Sequence, residues 1–178
     1  KGKKIFRCMP VLVALCVLLE GMFFMTITKP GHVPDIWTHV YRIDSILNGD
    51  VIGGQLLQEV CCIILDGVVG GAVDRSWMQY SLEQYDGYDP GIVIPESITN
   101  NKASATVDLP FNNTATNSPI VYAPQLLGFA VGRLFNLRSG TTYRLAEICM
   151  IAVYALLMYC AVMTLPKWRI PVGLLLCV

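Results

Sequence analysis

Charge is what this sequence has least of. Only 15% of its 178 residues are charged, whereas soluble domains carry roughly 25%. Basic and acidic residues number 13 each, so the net charge is zero. A strongly basic surface, typical of nucleic-acid-binding proteins, is therefore excluded, and we predict no nucleic-acid partner. Hydrophobic residues make up 54% and are concentrated at the two ends of the chain, which indicates an integral membrane protein.

The sequence also lacks a disulfide or zinc pattern, although it has seven cysteines. Five of them lie in apolar runs, where a thiol behaves as a small hydrophobic side chain. Cys61 and Cys62 are adjacent, and neighbouring cysteines rarely pair without strain. No spacing resembles a zinc site. We interpret the cysteines mainly as packing residues.

Two apolar segments are predicted to cross the membrane. Residues 8–27 are a nearly uninterrupted apolar run, and about twenty such residues cross a hydrocarbon core. The basic residues of segment 1–7 place the N-terminus in the cytoplasm. A signal peptide is the alternative, but its apolar core is usually only about 7–15 residues long. Residues 143–165 form the second span, in which Arg144 and Glu147 are spaced to form an ion pair.

Between these spans, residues 28–118 are expected to form an extracytoplasmic loop domain. Within it, residues 51–73 are apolar but interrupted by glycines and polar residues, which favours a surface-lying or buried helix. Residues 119–137 are expected to form a juxtamembrane or short transmembrane helix. If that helix does not cross, the span 143–165 returns to the cytoplasm, which is the arrangement we favour.

The chain ends in a further apolar run, residues 170–178. That run is too short to cross a bilayer. We expect it to be the start of another transmembrane helix in a longer protein.

The most informative motif follows the first span, where residues 34–42 read PDIWTHVYR. Proline is common in the first turn of a helix, and an acidic residue there is favoured by the helix dipole. The motif therefore predicts a short amphipathic helix at the membrane surface. On such a helix Asp35, His39 and Arg42 fall at i, i+4 and i+7 and share one face.

Taken in order, several motifs resemble one known family. After the first span come Pro-Asp-x-x-x-His-x-x-Arg, Asn-x-Pro-x-x-Tyr-x-Pro-Gln, a Gly-Arg-Leu segment and a Tyr-Arg-Leu span. This order is similar to the N-terminal region of the bacterial DUF2142 membrane proteins, which belong to the wider GT-C-like glycosyltransferase group. The family often has Asp-Glu where this chain has Asp35-Ile36, so a second carboxylate is missing here. The matching stretches are residues 34–42, 117–125, 132–134 and 143–145.

The resemblance implies an all-α, multi-pass fold of the GT-C kind in a bacterial cell membrane, with juxtamembrane helices in its extracytoplasmic domain. It implies an enzyme that moves a sugar from a polyprenyl-phosphate-linked donor to a cell-envelope glycan acceptor, with membrane lipid around it. In GT-C enzymes an acidic residue of the first extracytoplasmic loop lies at the active site. Asp35 matches that residue by position.

The chemistry of glycosyl transfer assigns roles to the remaining residues. A base must take the proton of the acceptor hydroxyl, and Asp35 is the candidate catalytic residue. Donor groups must stabilise the leaving phosphate, which a guanidinium such as that of Arg42 binds in bidentate fashion. His39, Tyr122 and Gln125 are the other candidate substrate-binding residues.

Cofactor use stays open at this stage. No cofactor is certain, and a divalent metal is compatible with the family. One carboxylate and one histidine are too few ligands for a closed metal site.

Two other functions are compatible with the sequence. The first is a non-catalytic multi-pass protein, either a polysaccharide export or assembly component or a binder of lipid-linked intermediates. The second is a transporter, for which paired discontinuous helices and polar sites at mid-membrane depth are expected. Glu20 is the one acidic residue deep in a predicted span, so we rank the transporter last.

Overall fold

The computed structural model describes most of the chain outside its polar middle. Described are residues 2–51, 54–55, 59–60, 63–64, 69–84, 106–164 and Pro171. Side chains are described from Cys8 onward, except within residues 52–68. The run 170–178, predicted as the start of a further helix, lies outside the described residues apart from Pro171.

Two long antiparallel helices form the apolar part of the molecule. Helix α1 spans Gly2–Ile27 and helix α6 spans Ser139–Thr164. Both are long and apolar enough to cross a membrane, which confirms the two predicted long apolar helices. Val13 packs with Val162 towards one end of the pair, whereas Gly21 faces Ile151 nearer the other.

Arg144 fixes the level at which α1 ends beside α6. Its guanidinium donates to the Met25 carbonyl at 2.7 Å and to the Thr28 carbonyl at 3.3 Å. These carbonyls are among the groups that a helix leaves unpaired at its C-terminus. Arg144 also forms the predicted ion pair with Glu147, at 2.8 Å. The last turn of α1 and the first turns of α6 therefore lie side by side.

A small layer of helices and strands connects the two long helices. Helix α2 spans Ile36–Leu47 and helix α3 spans Arg75–Glu83. Strand β4 is the centre of a three-stranded antiparallel sheet in the order β1-β4-β5, and β2 pairs separately with β3. The strands are β1 (Gly54–Gln55), β2 (Glu59–Val60), β3 (Ile63–Ile64), β4 (Val69–Asp74) and β5 (Thr106–Pro110).

The strands correct two of our expectations. The chain is mostly helical, but it is not all-α, and the helix predicted over residues 51–73 is wrong where that segment is described. β4 pairs with β5, so that Gly71 lies opposite Leu109, and such a distant partner cannot be seen in local periodicity. A Cβ on Gly71 would come within 2.8 Å of Asp50 Oδ2. Glycine here therefore lets the strand pass close to the end of α2.

Helix α5 packs against the start of α6 through two glycines. The chain after β5 forms helix α4 (Asn112–Ala115), a 3₁₀ turn (Pro119–Tyr122) and α5 (Ala123–Leu134). A Cβ on Gly128 would lie 2.6 Å from Ala146 Cα, and one on Gly132 would overlap Thr142. Small residues four apart allow two helix backbones to approach closely.

The core lies between α2, the sheet, α5 and the start of α6. Trp77 of α3 stacks on Phe129 of α5 with ring centroids 4.5 Å apart. Trp37 and Tyr80 meet edge to face at 5.7 Å. Such pairs contribute about 0.5–1.5 kcal/mol beyond the area that they bury. Trp77 and Tyr80 thus hold the layer together, and Trp77 is buried.

Candidate functional site

Asp35 lies at the open N-terminal end of α2. The helix begins at Ile36, and Asp35 adopts the left-handed conformation with φ 57°. Its carbonyl accepts from Thr38 Oγ1 at 2.7 Å and from the His39 N–H at 3.3 Å. Aspartate tolerates this region better than most residues, and such backbone strain is concentrated at functional sites. The side chain is exposed, and within the described residues its carboxylate has no hydrogen-bond or ion-pair partner.

His39 is joined to two residues of the second family motif. Its Nδ1 lies 3.0 Å from the Tyr122 hydroxyl, across 83 residues of chain. The Asn117 side-chain amide donates to the same hydroxyl at 3.0 Å. The hydroxyl can donate to Nδ1 or accept from it, depending on which ring nitrogen of His39 carries the proton. The contact with Tyr122 fixes the orientation of the ring through Nδ1.

The motif residues that surround this chain of bonds differ in exposure. Tyr122 is 3% exposed, whereas His39, Asn117 and Gln125 are half-buried. Gln125 lies one turn beyond Tyr122 on α5, and its Oε1 has no hydrogen-bond partner among the described residues. The structure thus brings His39 and Tyr122 into contact, as a shared site requires, and Gln125 lies three residues after Tyr122, in the first turn of α5.

Arg42 is placed differently from the expectation. It is 1% exposed, and its guanidinium donates to the carbonyls of Asp50 at 2.8 Å and Val51 at 2.6 Å. The Phe111 ring centroid lies 5.6 Å from Cζ, within reach of a cation–π contact. Burial lowers the pKa of Arg42, opposed by Tyr122 and Asp50. The predicted row is therefore not formed, because Asp35 precedes the helix and is exposed whereas Arg42 is buried.

A second polar centre, which the sequence analysis missed, lies at the other end of α2. Asp44 is fully buried. Its Oδ1 accepts from Trp77 Nε1 at 3.0 Å and from Arg133 at 2.8 Å. Its Oδ2 accepts from the Asp74 N–H at 2.8 Å and from the Asn48 amide at 3.3 Å. One carboxylate thus joins α2 to β4, α3 and α5.

One sequence signal could have revealed Asp44. The apolar stripe of α2 includes Val40 and Ile43, and Asp44 falls one turn after Val40 on that buried side. A carboxylate on the core-facing side of a helix needs several hydrogen-bond donors. Its presence there predicts a buried polar cluster.

Two further arginines of the family motifs, which could also bind phosphate, are engaged in internal contacts as well. Arg133 is shared among Asp44, the Asn48 side chain at 2.8 Å and the Asp74 carboxylate at 3.4 Å. Arg144 is held by Glu147 and by the end of α1. Lys29, in the loop that leads from α1 to Asp35, is exposed. Its ammonium has no hydrogen-bond or ion-pair partner within the described ranges.

Comparison with known protein families places this geometry in context. A family model described as a predicted membrane protein (DUF2142) matches residues 18–178. The chain belongs to the DUF2142 family. This confirms the family that the motifs resemble, and the match includes both halves of the candidate site, residues 35–39 and 117–125. No curated protein and no solved structure matches the chain.

A metal is not supported by the side chains that this DUF2142 protein presents. Within the described residues, no group of three or more His, Cys, Asp or Glu side chains could hold a metal ion. Asp35 and His39 alone give fewer ligands than a divalent cation normally takes from a protein. We therefore derive no step of the chemistry through a metal.

Proposed function

We propose that this DUF2142 protein is a GT-C-like glycosyltransferase of a bacterial cell membrane. It transfers a sugar from a polyprenyl-phosphate-linked donor to a cell-envelope glycan acceptor on the extracytoplasmic side. The observation that carries the proposal is the exposed carboxylate of Asp35, which has no hydrogen-bond or ion-pair partner among the residues that the structure describes. It lies shortly after a candidate span and one helical turn before His39, which Tyr122 and Asn117 hold in place.

The geometry of the two long helices supports an extracytoplasmic position for Asp35. With the N-terminus in the cytoplasm, α1 leads out, and Arg144 places the start of α6 beside the end of α1. Helix α5 has 12 residues, which at 1.5 Å each give about 18 Å, less than the roughly 30 Å of a hydrocarbon core. The chain between α1 and α6 then does not cross the membrane, its candidate site faces the extracytoplasmic side, and α6 returns to the cytoplasm.

The proposed reaction needs one base and one leaving group. Asp35 takes the proton of the acceptor hydroxyl as the oxygen attacks the anomeric carbon of the donor sugar. A carbon–oxygen bond forms to the acceptor, and the bond from the anomeric carbon to the phosphate oxygen breaks. The electron pair of the broken bond leaves with the polyprenyl phosphate.

Substrate contacts fall to the residues beside Asp35. With its proton on Nε2, His39 donates to a sugar or acceptor oxygen, and Tyr122 fixes the orientation of the imidazole through Nδ1. Gln125, three residues after Tyr122, has a buried side-chain oxygen with no partner within the described residues, which is the remaining candidate for a substrate contact. Because Arg42 is bound to backbone carbonyls, we assign the contact with the leaving phosphate to Lys29, which sits where lipid headgroups are expected.

Substitution of Asp35 by asparagine tests the proposal. Asparagine has nearly the same shape and also tolerates the left-handed region, but it cannot act as a base. In the full-length protein, sugar transfer by Asp35→Asn should fall by a factor of about 10²–10⁴, while the Kd for the lipid-linked donor stays unchanged. The matched control is Glu83→Gln, which neutralises an exposed carboxylate on α3 and should leave turnover unchanged. Turnover by Asp35→Asn within twofold of the unsubstituted protein would exclude Asp35 as the base.

A non-catalytic binder of lipid-linked intermediates, or an export component, is the second candidate. One observation favours it, since Arg42, Arg133 and Arg144 are all engaged in internal contacts and leave few cations for a transition state. A binder predicts donor binding without transfer in the full-length protein. In that case Asp35→Asn would alter neither quantity.

A further inference from the structure

A stripe of apolar side chains on α5 is uncovered in the described part of the chain. Ile120 of the preceding turn, Leu127 and Leu134 recur every seven residues, so they lie along one face. Their exposed fractions are 77%, 59% and 78%. The small residues Ala123 and Ala130 fill the positions between them and are also exposed.

This stripe carries no charge. Between residues 119 and 137 the one charged residue is Arg133, and its guanidinium is directed to Asp44 at 2.8 Å. A helix face in contact with water normally presents charged and polar side chains. An uncharged stripe of this length is therefore suited to an apolar environment.

The direction of α5 along α6 indicates which environment that is. Gly132 lies against Thr142 and Gly128 against Ala146, so the helices are antiparallel. Followed backward from Gly128 to Ile120, the chain therefore runs towards the middle of α6. Ala146 already lies beyond Arg144, the residue that bonds the end of α1.

The middle of α6 is itself the apolar, exposed part of a candidate span. Leu156 and Leu157 are each 59% exposed. We propose that the uncovered stripe of α5 is immersed in the membrane leaflet next to the α2 layer, with Ile120 and Leu127 among lipid acyl chains. The occupant is lipid, because the stripe borders the surface that α6 presents to lipid and adds no charge to it. A helix can enter this region since it satisfies its own backbone hydrogen bonds.

Immersion places the candidate site at the membrane boundary. Tyr122, which bonds His39, directly follows Ile120 and Val121 in the chain, and Val121 is 55% exposed. A phosphate-linked lipid could then reach His39 while its tail remains in the bilayer. The inference itself does not depend on sugar transfer, and its test measures environment rather than activity.

Spin labels on single cysteines measure that environment. Ile120→Cys and Leu127→Cys would be labelled with a nitroxide in a cysteine-free form of the full-length protein in phosphatidylcholine nanodiscs. Collisions with oxygen, which partitions into lipid, are compared with those of a water-soluble nickel chelate. Leu157→Cys is the matched lipid control, and Asn113→Cys, on exposed α4, is the matched water control.

Both stripe positions should resemble Leu157→Cys, with frequent oxygen collisions and few nickel collisions. Frequent nickel collisions, as expected at Asn113→Cys, would overturn the proposal. Protection from both reagents would also overturn it, because protein would then cover the stripe. A photo-crosslinking diazirine residue at position 127, in the chain with its native cysteines, gives a second measurement. Lipid adducts in the mass spectrum support immersion, and adducts only with protein contradict it.

Discussion

The two ends of α2 use a carboxylate in opposite ways. At the C-terminal end Asp44 is fully buried and accepts hydrogen bonds from the side chains of Asn48 and Arg133, from the Trp77 indole and from a backbone N–H. At the N-terminal end the Asp35 carboxylate is exposed and has no such donor within the described residues.

The two carboxylates therefore have different roles: Asp44 stabilises the fold, and Asp35 is available for chemistry. A buried carboxylate surrounded by donors is costly to disturb, since every donor loses its partner with it. An exposed carboxylate with no partner costs little stability to replace, but it retains the freedom to accept a proton. If α2 is organised in this way, substitutions at its two ends should affect different measurements.

Removal of Asp44 should have the largest effect on folding. Asp44→Ala leaves the buried Trp77 indole and the Asp74 N–H without their acceptor, while Arg133 keeps Asn48 and Asp74 as partners. Each buried donor left without a partner costs about 1–3 kcal/mol. We expect a large drop in the unfolding midpoint of the protein in detergent or nanodiscs. Asp35→Asn is the control from the open end and should leave the midpoint unchanged. Equal midpoints for the two variants would remove the contrast between the two ends.

A substitution of Arg42 tests whether this residue contributes to stability, as Asp44 does, or to substrate binding near Asp35. Arg42→Met keeps the apolar stem but loses the bonds to the Asp50 and Val51 carbonyls, and bonds from a charged group contribute roughly 1.5–3 kcal/mol. We expect a lower unfolding midpoint with an unchanged Kd for the lipid-linked donor. Arg138→Met, at an exposed arginine, should change neither. A weaker affinity for the lipid-linked donor at an unchanged unfolding midpoint would instead show that Arg42 binds substrate, as the sequence predicts.

Substitution of Tyr122 should have a smaller effect on stability, and it should also affect the candidate site at the N-terminal end of α2. Tyr122→Phe retains the buried ring but removes the hydroxyl between His39 and Asn117, a loss of about 0.5–1.5 kcal/mol of stability. Affinity for the lipid-linked donor should fall as well, because the imidazole of His39 is no longer held in one orientation. The matched control is Tyr80→Phe, which removes the hydroxyl of a tyrosine that packs against Trp37. It should leave the affinity for the lipid-linked donor unchanged. Equal donor affinities for both variants would show that the His39–Tyr122 bond is only structural.

The smallest expected effect is a change in how stability depends on pH near Asp44, at the C-terminal end of α2. Burial and the nearby Asp44 raise the pKa of Asp74, with Arg133 opposing them. A folded-state pKa above the unfolded value, about 3.9, gives stability that is fully present below the unfolded pKa and is lost as pH rises through the folded pKa. The unfolding midpoint should therefore fall less steeply across that acidic range in Asp74→Asn than in the unsubstituted protein. Glu83→Gln should keep the original slope, and identical slopes for all three proteins would contradict the assignment.

Local sequence rules predicted the features that depend on near neighbours. The two long apolar helices, the amphipathic helix after the first of them and the Arg144–Glu147 pair follow from hydropathy and from i, i+3 spacing. The sequence predicts that α2 begins at Pro34, because proline and aspartate are both common in a first helical turn. The helix begins two residues later, at Ile36. Only the left-handed conformation of Asp35 excludes that assignment.

Features that depend on distant partners were missed. The apolar run 51–73 predicts a helix by its composition, and the part of it that forms β4 is identified as a strand only when β5 is placed beside β4. Helical spacing predicts that Arg42 shares a face with Asp35 and His39, but it cannot show that Arg42 binds carbonyls of the turn that follows α2.

By itself the sequence determined that this is a membrane protein of the DUF2142 family, with two long apolar helices and an acid, a histidine and a tyrosine in family motifs. Hydropathy and motif order carry that information because they need no knowledge of the fold. Only the tertiary structure decided that His39 meets Tyr122, that Arg42 is buried, and that Asp44 joins α2 to the sheet and to α5. Each of these depends on which segments pack together, and packing brings together residues that no local pattern relates.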